Sequence, residues 1–414
     1  MTGRVVITGC GAVTPIGIGK EDFWKALEAG KNGVGYIKAF DASEFPVKIA
    51  AGVTDFDPER WIGKKDARHM DRVAQFAAAA ADLAVADSEI DLESIDKEAL
   101  GVYIGSGQGG IHTTETNCAI LESKGPRRVS PFMVPMMISN MSAALVAIRT
   151  GAKGPNMSVA SACASSLNSM IEAYNCIVRG DAKIMLTGGS EAAMTRCGLA
   201  GFAALKALSL RNDDPATASR PFDAGRDGFV LGEGAGVLLF EEYSHAKARG
   251  AHIYAEVVGY GISCDAHHIT APDPDGDGAY RAMAMAIKKA GWQPCDVDLI
   301  NAHGTSTQLN DKIETLAIKR LLGEEYGSKV MVHSTKSMIG HALGSAGAME
   351  TVAVLLAMEH GIVHPTINQF ERDPECALNT VPNTAVHANV RRVLINNFGF
   401  GGHNAVLALE ALGE

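Results

Sequence analysis

The sequence predicts an α/β fold assembled from two similar halves, and three observations carry that prediction. Short runs of β-branched residues alternate with alanine-rich helical patterns, the mark of mostly parallel sheets covered by helices. The runs form two series that match in order. At 414 residues the chain exceeds one typical domain, and it has ample apolar content for two fused units around a large core.

Taken in order, the first series of strands falls at residues 5–8, 102–105, 157–160, 184–187 and 236–240. The second falls at 253–259, 299–302, 330–334, 393–396 and 405–409. Position by position, the strand leading to Cys163 matches the one leading to Lys336, and Gly188-Gly189 matches the glycine run at 399–402. The pattern reads as a duplication with its break near Ala248-Arg249-Gly250, which divides the chain into 1–250 and 251–414. Residues 74–86 have helical spacing, with Phe76 and Leu83 among many alanines, and pack in a core. Residues 131–148 carry Phe132, Met133, Val134, Met136, Met137, Ile138 and Met141. Core packing ranks first for this stretch, with a subunit interface or the lining of an apolar ligand site as alternatives.

Composition excludes several functions. The eight cysteines are scattered, with no Cys-x-x-Cys pair, so neither a zinc site nor thioredoxin-like redox chemistry is expected. His267-His268 has no third ligand at a suitable spacing, and no metal is expected. Free thiols, the absence of a charged-then-apolar leader and the lack of a membrane-length apolar run point to the cytoplasm. There the Asn-x-Ser sequons at Asn140 and Asn156 carry no weight. A formal net charge of −10 argues against nucleic-acid binding. Local charge differs: Lys64, Lys65, Arg68 and Arg72 form one basic cluster, and Lys124, Arg127 and Arg128 another. These read either as solvated helix faces or as docking points for an acidic partner.

Cys163 is the most informative residue. It stands in Ser161-Ala162-Cys163-Ala164-Ser165, where an apolar strand runs into small residues that open a helix. A helix N-terminus favours a thiolate, and backbone N–H groups there can bind an oxyanion. His303, in Ala302-His303-Gly304-Thr305, and His341, in Ile339-Gly340-His341, occupy comparable settings. One cysteine and two histidines suit carbon–carbon bond formation on a thioester. Lys336, five residues before His341, needs a carboxylate partner if buried. His245, His252, His333 and His387 read as satisfied core or surface residues. Two glycine patterns mislead. Residues 105–110 satisfy G-x-G-x-x-G without the following strand and acidic residue, and 399–402 lack the Gly-Lys-Ser/Thr ending of a phosphate loop.

The segments around Cys163, His303, Lys336–His341 and Asn397–Asn404, with Ser219-Arg220-Pro221-Phe222-Asp223 and Gly232-Glu233-Gly234 between them, resemble the β-ketoacyl-acyl-carrier-protein synthases nearly end to end. The pattern is most similar to the elongating type II enzymes of bacteria. The resemblance implies a thiolase-like fold of two pseudo-symmetric halves in α-β-α-β-α layers, a homodimer, and decarboxylative condensation of malonyl with acyl carrier protein thioesters. No cofactor is implied beyond the phosphopantetheine that arrives on the carrier. It assigns oxyanion donors to the backbone of Cys163 and Phe400, and sets Lys336 near Glu314 and Glu350. Thr270, Thr305, Thr307 and Phe398 would meet the pantetheine arm, although the threonines are equally turn residues. Gln108, Ala193, Gly198 and Phe202 would line the acyl tunnel, with Met133 and Val134 reaching across from the other subunit. Lys64, Lys65, Arg68, Arg127 and Arg128 would dock the carrier.

Gln108 departs from the pattern, because elongating relatives place an apolar residue there. Its amide either meets polar groups of a neighbouring loop or accepts a substrate with oxygen or unsaturation. Alternatives to fatty-acid elongation are a condensing subunit of a specialised polyketide or polyene pathway and a non-catalytic chain-length partner. The latter lacks the nucleophile that Cys163 supplies. A degradative thiolase would be expected to carry a second cysteine near the C-terminal glycine loop, where this chain has His403.

Overall fold

Ten principal strands alternate with helices in a computed structural model that describes residues 3–413. They are β1 (Val5–Thr14), β2 (Leu100–Gly105), β3 (Asn156–Met157), β4 (Ile184–Glu191), β5 (Gly234–Glu242), β6 (Ala255–Cys264), β7 (Leu299–Asn301), β8 (Met331–His333), β9 (Arg392–Gly399) and β10 (His403–Glu410). Each expected run of β-branched residues contains or overlaps one of them. Their order in the sheet is β8-β7-β9-β10-β6-β1-β5-β4-β2-β3. Read inward from each edge, the two halves have the same order, with β6–β10 repeating β1–β5. The halves join where β1 pairs with β6 over Val5, Val6 and Ile7.

The expectation of mostly parallel sheets is corrected. Pairs β2–β3, β2–β4, β7–β8 and β7–β9 are parallel. The inner pairs β4–β5, β5–β1, β9–β10 and β10–β6 are antiparallel, as is the junction β1–β6. The reason is local at β9–β10: only Phe400, Gly401 and Gly402 separate the strands, and so short a connection permits only an antiparallel return.

The helices that matter here are α1 (Arg72–Asp87), α2 (Met133–Met137), α3 (Ser165–Arg179), α4 (Asp277–Ala290), α5 (Gln308–Leu322), α6 (Lys336–Ile339) and α7 (Ala346–His360). The expected helix at 74–86 lies within α1, which starts where Asp71 accepts from the Val73 N–H and buries Phe76 with its alanines. Helices α3 and α7 form the central layer, touching strands of both halves. From Ala346 to Ala357 every α7 residue is buried, as expected of a helix enclosed on all sides. Outside, α1 covers β1 and β5 while α4 covers β6 and β10. One hydrophobic cluster runs through both halves, from Ile7 and Leu238 through Leu167 and Leu355 to Ile395 and Leu407.

The core-first reading of 131–148 holds for Ala143 and Val146, which are fully buried in a core cluster, but not for several of the larger apolar side chains. Phe132, Val134, Ile138 and Ile148 are exposed in the single chain, Val134 at 61% and Ile148 at 75%, and Met157 on edge strand β3 is exposed beside them in sequence. Only Ser142, Ala143, Val146 and Thr150 of the helix Met141–Thr150 are buried.

Candidate active site

Cys163 owes its position to a strained turn. Strand β3 is shorter than expected, but the chain keeps an extended course beside β2: the Ser158 hydroxyl donates to Ile104 O at 2.8 Å, and the Ser106 N–H donates to Val159 O at 3.2 Å. Ala162 then adopts φ +51°, a left-handed conformation that disfavours any residue but glycine. The turn is held by Ser165, whose hydroxyl accepts from the Ser161 N–H at 2.9 Å and donates to Ala162 O at 2.6 Å. Helix α3 begins at Ser165. The sulfur therefore sits against the start of a helix, as its flanking small residues predict.

The electrostatics differ from the expectation of a favoured thiolate. Burial pushes the Cys163 thiol up to about 12, and the Glu191 carboxylate adds to the rise. The Lys336 charge and the backbone N–H groups of Phe400 and Cys163, both of which point at the sulfur, pull the other way without prevailing. Desolvation thus favours the protonated sulfur over its anion, and the helix terminus only moderates that effect.

Both histidines face this sulfur. His341 Nε2 lies 3.0 Å from Cys163 Sγ, and the two imidazole rings are 5.3 Å apart, nearly perpendicular. Burial first, then the Lys336 charge, holds both rings far below the usual histidine range, so both are neutral. Neither Nδ1 has a hydrogen-bond partner. A buried N–H without an acceptor is more costly than a bare acceptor, which favours the tautomer with its proton on Nε2. Such rings present N–H donors without carrying charge.

Lys336 opens α6 and is buried, paired with Glu350 of α7. Glu350 also accepts from Asn397 Nδ2 at 2.7 Å, and burial raises its pKa against these partners. Glu314 does not share this pair. Its carboxylate accepts from the N–H groups of His303 and Gly304 at 2.8 and 2.9 Å and from Asn396 Nδ2 at 3.1 Å, which fixes the His303 backbone from α5. Burial pushes Glu314 up to about 7. Ser219 donates to the Lys336 carbonyl at 2.7 Å, which ties its sequence motif to the same corner.

A cavity of about 610 Å³ opens over these groups. Of the residues singled out in the sequence, Cys163, His303, His341, Phe398, Phe400, Gln108, Phe202, Thr270, Thr305 and Thr307 line it. Thr305 and Thr307 hydroxyls are 2.9 Å apart, and Thr307 also caps α5, so both turn and cavity roles are realised at that position. Ala193 and Gly198 are buried but do not reach the wall, and Met133 and Val134 lie away from it on α2. At the mouth, β9 and β10 are joined through Gly401 and Gly402, both at positive φ. A Cβ at Gly399 would stand 2.9 Å from Ser161 O and 3.1 Å from Cys163 N, so this strand end approaches the nucleophile only as glycine. Among the described residues, the one group with ligand spacing for a metal is Cys163, His303 and His341, whose donor atoms lie within 4.8 Å of one another.

Two features escaped the sequence reading. Asp265 lines the cavity and accepts from Asn404 Nδ2 at 2.6 Å beside the glycine turn. Glu191, at the end of β4, takes the N–H groups of the loop that mimics a dinucleotide motif, which explains that loop without any nucleotide. The signal was present: a carboxylate ending an otherwise uncharged buried strand. Lys64, Lys65, Arg68, Arg127 and Arg128 are all exposed, and the His69 ring packs at a tilt against Phe132 with 4.1 Å between ring centres, which brings the two basic segments to one region. Arg72 is removed from that set, because it pairs inward with Glu233 at 2.8 Å.

Family models for the β-ketoacyl synthase N-terminal and C-terminal domains match residues 2–246 and 254–370. The chain is 50% identical over 407 residues to 3-oxoacyl-[acyl-carrier-protein] synthase 2 of Synechocystis, covering 98% of each chain. It is 46% identical to the protein of that name from Vibrio harveyi, covering 99% of each. Among solved structures it superposes on the ishigamide ketosynthase/chain length factor with a TM-score of 0.93 at 37% identity, covering 100% of both chains. A type II polyketide ketosynthase in complex with its acyl carrier protein gives 0.92 at 35% identity, again covering 100% of both chains.

Proposed function

This chain belongs to the β-ketoacyl synthase family, and from that premise we propose the reaction its site performs: two-carbon elongation of an acyl chain held on Cys163 by decarboxylative condensation with malonyl-acyl carrier protein. The observation that carries this reading is a buried thiol set against two neutral imidazoles and two backbone N–H groups in one cavity.

Cys163 Sγ attacks the thioester carbonyl of the incoming acyl carrier. The carrier's carbon–sulfur bond breaks and the thiol proton ends on the released pantetheine sulfur. The Cys163 and Phe400 N–H groups receive the transient oxyanion. In the second half, the bond between malonyl C2 and its carboxylate breaks to release carbon dioxide, and the enolate oxygen meets the N–H donors of His303 and His341. Neutral donors suit this step, since they stabilise charge without protonating the carbanion. The carbanion carbon then attacks the Cys163 thioester, the carbon–sulfur bond breaks, and the freed thiolate takes up a proton. Lys336, balanced by Glu350, organises the histidine corner, and Glu314 holds His303 in place. Thr270, Thr305, Thr307 and Phe398 suit the pantetheine arm, and Gln108 and Phe202 the acyl chain.

Intact-mass analysis tests this: incubation with acyl carrier protein adds one acyl group, and malonyl carrier then removes it with release of carbon dioxide. An enzyme that takes no acyl group from carriers of any length would refute the reading.

The carrier is the expected partner, and the exposed bases suit its acidic surface. Charge reversal at Lys65 and Arg68 raises KM for carrier-bound substrates about tenfold or more, leaves small-thioester turnover alone and weakens the salt dependence. Equal loss with both substrate types would move docking elsewhere. A homodimer covering Phe132, Val134, Ile138, Ile148 and Met157 accounts for their exposure in the single chain. No helix among the described residues is long and apolar enough to cross a membrane, in keeping with a cytoplasmic enzyme. The repeated strand order supports division into residues 1–250 and 251–414.

One observation favours a second reading, a condensing subunit of a specialised pathway. Gln108 Oε1 is buried without a partner on the cavity wall. An acyl chain carrying a hydroxyl would satisfy it. Gln108→Ile then shifts preference toward saturated chains by roughly 10-fold, the scale of a single pocket contact. Competition between saturated and oxygenated acyl carriers measures the shift, and an unchanged ratio leaves ordinary elongation alone.

A further inference from the structure

Four hydrogen-bond donors converge on one buried carboxylate behind the reacting sulfur. Glu191 accepts from the N–H groups of Gly107 at 2.7 Å, Gly344 at 3.1 Å and Gln108 at 3.2 Å, and from the Ser106 hydroxyl at 3.1 Å. No basic side chain forms an ion pair with it among the described residues, so oriented peptide dipoles carry the compensation. Burial still pushes it up to about 7.

The donors belong to two separate pieces of cavity wall. Gly107 and Gln108 line the cavity from one side, and Leu343, the residue before Gly344, lines it from another. The pieces are in backbone contact around the carboxylate. A Cβ at Gly344 would lie 2.4 Å from Gly107 N and 2.7 Å from Glu191 Oε2, and one at Gly107 would lie 2.9 Å from the same oxygen and 3.6 Å from Ala162 O. Leu343, like Ala162, has a positive φ, at +47°. A loop and a strained turn therefore meet at one carboxylate, and the turn that carries Cys163 packs against the same loop at Gly107.

We propose that Glu191 is a positioning residue for the acyl cavity: by pinning the 106–108 loop to the 343–344 turn, it sets where Gln108 and Leu343 stand relative to Cys163, and so which acyl lengths are accepted. This rests on the condensing reading above. The shortest acyl groups occupy only the space next to Cys163, whereas longer ones must pass both wall pieces.

The test is Glu191→Gln, which keeps the shape but turns an acceptor into an amino group facing N–H donors. Single-turnover acylation of Cys163 is measured well above neutral pH with acetyl, medium-chain and long-chain acyl carriers. Acylation by long chains falls about 100-fold, the scale of a misplaced reacting geometry, while acylation by acetyl falls by less than about tenfold. That split separates positioning from a general fold defect, which lowers all lengths alike. A folded Glu191→Gln with the wild-type length profile, or with equal loss at every length, overturns the proposal. Should that variant not fold, Ser106→Ala removes one donor and keeps the charge. It must then shift the profile in the same direction by a smaller factor, and an unchanged profile overturns the proposal. Wild-type protein that accepts no acyl group at all would instead count against the condensing reading.

Discussion

Replacing Cys163 with alanine abolishes the acyl-enzyme and reduces condensation by on the order of a million-fold, the scale seen when a covalent nucleophile is removed. The chain has seven other cysteines, and Cys118, Cys197, Cys264 and Cys295 are exposed. Exposure does not make them substitutes, since none stands against two neutral imidazoles and two backbone donors. Stability changes little, because only one buried sulfur is lost, on the order of 1 kcal/mol. Decarboxylation of malonyl carrier uses the histidines rather than the thiol, so it persists in Cys163→Ala and shows that the cavity is intact. Intact mass and released carbon dioxide are the two readouts. An acyl adduct of undiminished yield in Cys163→Ala would assign the nucleophile to another residue.

The second large effect is at the histidines. His303→Ala and His341→Ala each lower decarboxylation by about 100- to 1000-fold, as for loss of one donor to a developing oxyanion. The two differ in the first half-reaction. His341 Nε2 touches the Cys163 sulfur at 3.0 Å, so His341→Ala also slows acylation, whereas His303→Ala leaves it near the wild-type rate. Single-turnover assays of each half-reaction measure both, and intact decarboxylation in both variants would remove the roles assigned to these rings. Their neutrality matters to the size of the effect. A ring held far below the usual histidine range stays an uncharged donor through the neutral range, so the decarboxylation rate shows no inflection from histidine protonation there.

Much of this molecule was legible along the chain. Strands announce themselves through local β-branched runs, and the matched order of ten such runs foretold the repeated topology found in the sheet. Cys163, His303 and His341 were legible because their chemistry requires small neighbours and tight turns, which are local features. Pairing direction was not, because it depends on which strands meet across long separations: β5 is distant in sequence from β1 yet bonds to it along its length.

Charge state lay further still beyond the sequence. A helix start beside Cys163 suggested a thiolate, but desolvation depends on everything packed around the sulfur, and it wins over the helix terminus. Arg72 counted as a surface base until Glu233, 161 residues away in the chain, turned it inward. Glu350 rather than Glu314 partners Lys336, because α7 runs behind α6 while α5 faces the His303 backbone. Glu191 stood out only as a carboxylate ending an uncharged strand, and its place between the 106–108 loop and the 343–344 turn exists only in the folded chain. The sequence by itself determined the local conformations and singled out the cysteine and two histidines that the fold gathers in one cavity, since those follow from near neighbours. Only the tertiary structure decided protonation, ion pairing and the shape of the acyl cavity, because solvation and Coulomb terms sum over groups that the chain holds far apart until it folds.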